Sequence, residues 1–298
     1  MTQAAYTLAT IDQFVLFGDS ITQQCFSQNS TFAFGAALAD TYARKLDVVN
    51  RGLSGYNTMQ ALRALPLCIP KPEQAKVRFL LIFFGMNDAR IRGSPGGPDQ
   101  STSVDEYRRY IRYMANHPSV RAHKDVRIIL VTTPPIDERK ALLADQEKYP
   151  DLCPVLRRAA ISTAIYAQAM RTLGQELGIP VLDIYTAMLA RSGHGRETTP
   201  IPGSLEAPKN PTLQSYLTDG LHFSGEGYRL LFGQLMALIE RTWSDQMPAR
   251  IPIRLPLWDL EPSWKVDGDR NPPPWQDSDA VVVTGILEAL LSDLQRVT

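Results

Sequence analysis

Phe14-Val15-Leu16-Phe17-Gly18-Asp19-Ser20-Ile21-Thr22 is the stretch on which the reading turns: four apolar residues stop at a glycine, and an acid and two hydroxyl side chains follow. A short apolar run of this kind reads as a strand buried on both faces of a sheet. In an open α/β sheet, the residues just past such a strand stand at the carboxyl edge, where ligands bind. Gly, Asp and Ser are also ordinary turn formers. Taken alone, the stretch describes a turn as well as it describes a presented nucleophile. The choice depends on whether the rest of the chain supplies a base, an orienting acid and donors for an oxyanion.

Working outward, strand and helix patterns alternate. Residues 13–17 suit a first strand, and 33–44 a helix with Phe34, Leu38 and Tyr42 on one face. A second strand at 46–50 runs into Arg51-Gly52-Leu53-Ser54-Gly55-Tyr56-Asn57, and a helix at 58–65 is expected to stop at Pro66. The most continuous apolar run, 77–84, predicts a central strand, and it too ends at a glycine, in Gly85-Met86-Asn87-Asp88. A helix at 104–117, a strand at 126–131, a long helix at 157–177 stopped by Gly178, a brief strand at 180–183 and a helix at 184–191 follow. Ser224 is a natural N-cap for a helix reaching 243, with Tyr228, Leu231, Phe232, Leu235 and Ile239 turned inward. This alternation predicts an α/β fold, a parallel sheet with helices on both faces. Three stretches read as irregular: 92–103, the charged and proline-bounded 137–154, which looks like an insertion or lid, and 192–217.

Past Trp243 the character changes. Pro248, Pro252, Pro256 and Pro262 punctuate a segment holding Trp258 and Trp264. Asn271-Pro272-Pro273-Pro274-Trp275 must be extended, and 281–294 suits a last helix. The expected organisation is one domain over 1–243 and a Pro/Trp-rich arm with a terminal helix over 244–298. That arm packs on the same domain or on a second subunit, in which case the protein is a homodimer.

Composition excludes some partners. The 298 residues carry 31 Lys and Arg against 31 Asp and Glu, which offers no electrostatic case for nucleic acid or an anionic membrane. No apolar run is long enough to span a bilayer, and residues 1–10 do not resemble a secretory signal. Cys25, Cys68 and Cys153 form no Cys-x-x-Cys and read as free thiols. A cytoplasmic protein acting on a small molecule, without stable membrane association, is the expectation.

A serine hydroxyl needs a base to become a nucleophile, so a histidine is required. His117 and His123 follow a helix with no acid placed to orient them, and His194 lies between two glycines in the long loop. His222 precedes a helix start, with Asp219 three residues earlier and Gly220 between. A turn at that spacing can bring the carboxylate to one imidazole nitrogen and leave the other free as base. Donors for an oxyanion are available at two other strand ends, as the backbone N–H of Gly55 and the side-chain amide of Asn87.

These motifs together resemble the SGNH (GDSL) hydrolase family. Phe17-Gly18-Asp19-Ser20-Ile21-Thr22 resembles its first block, which implies Ser20 as nucleophile and, through its own N–H, first oxyanion donor. Residues 50–57 resemble the second block, implying Gly55 as donor with Gly52 as a competing candidate. Gly85-Met86-Asn87-Asp88 resembles the third, implying the Asn87 donor, and Asp219-Gly220-Leu221-His222 the fifth, implying orienting acid and base. The four blocks lie in order within 13–243. The resemblance implies a flavodoxin-like three-layer α/β/α sandwich on a five-stranded parallel sheet, and a serine esterase that needs neither metal nor organic cofactor. The proline- and tryptophan-rich continuation is similar to the isoamyl acetate-hydrolysing esterase branch, which implies small, short-chain acyl esters. Carbohydrate acetyl esters, thioesters and lysophospholipids stay open as substrates. Acyl transfer to an alcohol is the competing reaction, since it uses the same residues, and a non-catalytic binding module is disfavoured by the presence of all four side chains. The α/β-hydrolase alternative is rejected, because the chain holds no Gly-x-Ser-x-Gly.

Overall fold

The computed structural model describes residues 11–29, 31–152 and 154–254. Strand β1 (Gln13–Gly18) leads through the short helix α1 (Ser20–Gln23) to α2 (Phe34–Thr41) and β2 (Asp47–Gly52). Helix α3 (Thr58–Cys68), β3 (Val77–Phe83), α4 (Val104–Ala115), α5 (Pro118–Arg121) and β4 (Arg127–Val131) follow. Next come α6 (Glu138–Lys148), α7 (Ala160–Leu177), β5 (Val181–Leu182), α8 (Ile184–Arg191), α9 (Pro211–Ser215) and α10 (Gly225–Thr242). The five strands form one sheet in the order β2-β1-β3-β4-β5, and every pairing is parallel. This is the architecture that the sequence pattern and the family resemblance predict.

Alternation along each strand builds two cores. Phe14 and Leu16 face one layer, with Phe79, Leu81 and Ile129 beside them and α2, α8 and α10 covering them through Leu38, Met188 and Leu235. Val15 and Phe17 face the other, with Leu80, Ile82 and Leu130, under Leu65 of α3, Ile111 of α4 and Met170 of α7. Phe14 to Phe17 are all fully buried. At about 1.5–3 kcal/mol for each large apolar side chain removed from water, this one strand is a major source of stability.

The order β2-β1-β3 means that the chain leaves β1 on one side and returns to its other side. The order in which strands are added therefore reverses between β1 and β3, the place where open α/β sheets bind ligands. In register, Gly18 stands opposite Gly52 of β2 and Phe83 of β3, so three strand ends meet at one edge. Gly18 is needed there for close approach. A Cβ on it would lie 1.9 Å from Thr22 Oγ1 and 2.6 Å from the Phe83 carbonyl oxygen.

Some boundaries differ from the sequence reading. Pro66 does not end α3, which continues to Cys68, and the Ile69 N–H still reaches the Leu65 carbonyl at 3.1 Å. A proline in the last turn forgoes one hydrogen bond, and the residues after it keep theirs. The helix expected over 104–117 is α4, which ends two residues early at Ala115; Asn116 caps it, and His117 caps the separate short helix α5 that Pro118 starts. The segment 137–154, read as an insertion or lid, is α6, and its first turn is tied down. Glu138 accepts from the Ala160 N–H at 2.7 Å and from the Leu205 N–H at 2.8 Å, and its own N–H donates to the Gly203 carbonyl at 2.8 Å.

Residues 244–254 pack on the α/β unit, with the Tyr42 hydroxyl donating to the Gln246 carbonyl and the Arg254 N–H to that of Arg44. The remainder of the expected arm, with Trp258, Trp264, Trp275 and the helix at 281–294, lies outside the described residues, as does Cys153. Cys25 and Cys68 are buried free thiols. Burial pushes the Cys25 thiol up to about 12, far from the thiolate that reactivity requires. Among the described residues no helix is long and apolar enough to cross a membrane.

Candidate active site

Asp19 caps α1, its Oδ1 accepting from the Ile21 N–H at 3.0 Å, so the chain turns directly from β1 and Ser20 becomes the first helical residue. Ser20 is buried, yet its Oγ stands 2.9 Å from Nε2 of His222, a residue more than two hundred positions away in the chain. His222 Nδ1 lies 2.6 Å from Asp219 Oδ2. The other carboxylate oxygen, Oδ1, accepts from the backbone N–H groups of Leu221 at 3.0 Å and His222 at 2.8 Å. Gly220 makes the tight return possible: its φ is +86°, and a Cβ would meet the Asp137 carbonyl oxygen and the Ala141 nitrogen at 2.4 Å each.

Burial alone would raise the Asp219 carboxyl. The hydrogen bond and charge of His222, with the two backbone donors, outweigh it and hold the group well below the usual carboxylate range. An ionised Asp219 is an acceptor only, so Nδ1 carries the proton and Nε2 presents a lone pair to Ser20.

Asn87 follows β3 and is buried beside Ser20. One of its amide hydrogens goes to the Tyr56 carbonyl at 2.9 Å, leaving the second available. Gly55 and Asn87 line the same cavity as Ser20 and His222. Gly52 is the weaker donor candidate, because its N–H donates to Asn50 Oδ1 at 2.9 Å. The second-block loop is held from both sides: Gln100 Nε2 donates to the Gly55 carbonyl at 2.6 Å, and Asn57 Nδ2 to the Gln100 carbonyl at 2.9 Å.

The other histidines are engaged locally. His117 caps α5, and His123 is buried with Nδ1 accepting from the Val77 N–H at 3.1 Å. His194 is half-buried in the long loop and does not line the cavity. Among the described residues no group of His, Cys, Asp and Glu could hold a metal ion.

The cavity measures about 350 Å³. One wall is the 96–100 loop, another is α6 through Ala141, Ala144, Asp145 and Lys148, and Arg157 and Arg158 close the side. Of the three stretches read as irregular, 92–103 and 137–154 contribute to these walls and 192–217 does not. That last stretch buttresses α6 from behind instead, with Arg139 donating to the carbonyls of Ser204 and Ala207 at 2.8 Å. The sequence does not single out Arg158 or Gln100. Neither belongs to a recognisable motif, and only the fold brings them to the strand ends.

Beneath Ser20 lie two buried carboxyls, Asp19 and Asp88. Asp88 accepts from the N–H and hydroxyl of Thr58 and from the Thr102 hydroxyl, tying the end of β3 to α3 and to the loop before α4. Burial pushes each carboxyl up to about 6 from 3.8, and the charge of Asp88 adds to the rise at Asp19, whose Oδ2 has no hydrogen-bond partner. Between those two pH values the folded state holds protons that the unfolded chain has released, so stability should fall as the pH rises through this window. Asp19→Asn removes one of the two groups and should make the fall in Tm between about pH 4 and pH 7 shallower. Parallel curves for the two proteins would rule out a buried, proton-binding Asp19.

Comparison with known proteins places these residues in context. Residues 16–230 match the family model described as GDSL-like Lipase/Acylhydrolase family. The isoamyl acetate-hydrolyzing esterase of Saccharomyces cerevisiae is 30% identical over 253 residues, covering 83% of this chain and 94% of the yeast protein. The isoamyl acetate-hydrolyzing esterase 1 homolog of Homo sapiens is 33% identical over 249 residues, 82% of this chain and 86% of the human one. Among solved structures, a lipase/acylhydrolase from Enterococcus faecalis superposes with a TM-score of 0.52 at 22% identity, covering 83% of this chain and 100% of that one. The Axe2 acetylxylan esterase of Geobacillus stearothermophilus, solved as a catalytic mutant, gives 0.53 at 18% identity, with 77% and 94% coverage. These two likenesses are likenesses of fold.

Proposed function

The chain belongs to the GDSL-like lipase/acylhydrolase family and is a carboxylic ester hydrolase; from that premise we propose that it cleaves small, short-chain acyl esters through an acyl-enzyme on Ser20. His222 Nε2 takes the Ser20 proton as Oγ attacks the acyl carbon. The oxyanion that forms accepts hydrogen bonds from the N–H groups of Ser20 and Gly55 and from the free amide hydrogen of Asn87. Collapse expels the alcohol, which leaves with the proton from His222. Water, deprotonated by the same nitrogen, then attacks the acyl carbon, and the acid departs as the proton returns to Ser20 Oγ. Asp219 keeps the Nδ1–H tautomer throughout and stabilises the imidazolium. The observation that carries this reading is the unbroken path from Asp219 Oδ2 through the His222 ring to Ser20 Oγ, at 2.6 Å and 2.9 Å, opening into a cavity that Asn87 and Gly55 line.

The preference for a short acyl group is supported by the walls. Gly96, Gly97, Ala141 and Ala144 supply little apolar surface and Pro98, Tyr149 and Leu221 only short patches of it, while Arg90, Asp145, Lys148, Arg157 and Arg158 are charged. A long alkyl chain there would forgo about 0.8 kcal/mol for each methylene left without an apolar partner, and it would strip water from the charges. The name of the yeast relative, an isoamyl acetate-hydrolyzing esterase, agrees with an acetyl donor. On a series of nitrophenyl esters, kcat/KM should peak at acetate to butyrate and drop at least about tenfold by decanoate, a difference of ~1.4 kcal/mol. A value that climbs steadily with chain length would reject the short-acyl reading.

A further inference from the structure

An oxyanion site built on asparagine has a weakness of shape. The two ends of the side-chain amide are nearly the same size, but one donates and the other accepts. Turned the right way, Asn87 offers N–H to a developing negative charge; turned by 180° about its last bond, it offers an oxygen, which repels that charge. Something must forbid the second orientation.

We propose that Arg158 is a positioning residue for the reaction, gripping Asn87 so that its amide nitrogen and never its oxygen faces the acyl oxygen. The inference deepens the esterase reading above and rests on it. Arg158 Nη2 donates to Asn87 Oδ1 at 2.8 Å, and Nε donates to the carbonyl of Met86, the preceding residue, at 2.6 Å. One planar guanidinium thus holds the backbone leading into Asn87 and the oxygen at its tip. On the far side, Asn87 Nδ2 donates to the Tyr56 carbonyl at 2.9 Å.

A flip would face the amide NH₂ toward a guanidinium N–H and the amide oxygen toward a carbonyl oxygen. Both hydrogen bonds would be exchanged for repulsions. A hydroxyl in the place of Arg158 could rotate to accept instead of donate and so tolerate either orientation. Arginine carries donors only, and that makes the lock one-way.

The main chain holds the arginine in place. Arg158 forms an antiparallel bridge with Arg90, and the Ile91 N–H donates to the neighbouring Arg157 carbonyl at 2.8 Å. The segment before α7 is therefore laid along the chain that continues from Asn87. Arg158 is half-buried at the cavity wall, so its guanidinium closes the site as well as fixing the amide.

A double-mutant cycle in kcat separates this role from a merely structural or directly electrostatic one. Asn87→Ala alone should cost roughly 10²–10³ in kcat, the loss of one oxyanion donor. Arg158→Met should cost about 10–100-fold in kcat with KM changed by less than about threefold, because the interaction it governs exists only in the transition state. In the Asn87→Ala background the same Arg158→Met change should cost less than about threefold, since no amide remains to be oriented. Arg158→Lys keeps the charge but cannot reach both acceptors with one ammonium, and it should still lose several-fold in kcat. Full kcat in Arg158→Lys would mean that charge alone matters, and multiplicative losses in the cycle would mean that Arg158 acts independently of Asn87. Either result overturns the proposal, as does an unchanged kcat in Arg158→Met. If Asn87→Ala is itself without effect, the oxyanion assignment fails along with the proposal. A drop for Asn87→Ala with none for Arg158→Met removes the proposal and leaves the esterase reading standing.

Discussion

Ser20→Ala is expected to lower kcat on a short-chain nitrophenyl ester by roughly 10⁴–10⁶-fold, with KM nearly unchanged and Tm shifted by no more than a degree or two. The Oγ atom makes one hydrogen bond, to His222 Nε2 at 2.9 Å, and carries no other part of the fold. Removing it takes away the atom that becomes acylated and the proton that the base would accept, but leaves the Ser20 N–H in place. The oxyanion donors and the orientation of a bound ester would survive, so the residual rate should still exceed that in water. A methyl group fits where a hydroxymethyl stood, and Ser20 is buried without other polar obligations, which is why stability should barely respond. Labelling by a fluorophosphonate should vanish in step with turnover. Turnover above about 1% of the parent, or labelling that persists, would move the nucleophile elsewhere and sink the acyl-enzyme reading.

What the sequence makes legible here is tied to what strand ends require. Ser20, Gly55 and Asn87 each sit just beyond a strand whose apolar run stops at or near glycine, and parallel strands bring such ends to one edge. Asp219 and His222 are legible for another reason: their separation is local, and a turn through Gly220 closes it whatever the rest of the chain does. The two cores follow from alternation in β1 and β3, where successive residues point to opposite layers. Arg158, by contrast, falls in the first turn of the helix expected at 157–177, whereas α7 starts only at Ala160, and its partners Met86 and Asn87 are about seventy residues away. Nothing in its immediate neighbours distinguishes it from any surface arginine. The stretch 137–154 misleads in the opposite direction. It does wall the cavity, as a lid would. Its charges suggest an irregular segment, however, whereas Asp137 caps a helix through the Lys140 N–H and Glu138 is consumed by two backbone donors from α7 and the long loop. Tertiary hydrogen bonds of that sort leave no local pattern to read.

Asp219→Asn should prove almost as damaging as losing the nucleophile, with kcat falling by about 10⁴-fold and KM little affected. The reasoning depends on where each carboxylate oxygen is spent. Oδ1 accepts from two backbone N–H groups, at 3.0 Å and 2.8 Å, and Oδ2 accepts from His222 Nδ1 at 2.6 Å. Asparagine has only one acceptor oxygen, and the two fixed backbone donors will claim it. Its NH₂ then faces Nδ1 and donates to it, so the ring must carry its proton on Nε2 instead. An Nε2–H pointed at Ser20 cannot accept the serine proton, and the base is switched off although every atom remains near its place. Asp219→Ala imposes no such tautomer: the ring loses its orientation and the counter-charge but can still present a bare Nε2. Its kcat should therefore equal or exceed that of Asp219→Asn, even though alanine is the more drastic truncation. The ring nitrogens can be assigned by ¹⁵N NMR of the folded variants, which should give Nδ1–H in the parent and Nε2–H in Asp219→Asn. An asparagine variant that retained Nδ1–H, or one clearly more active than the alanine variant, would mean that Asp219 acts by charge alone and that the turn at Gly220 does not select the tautomer.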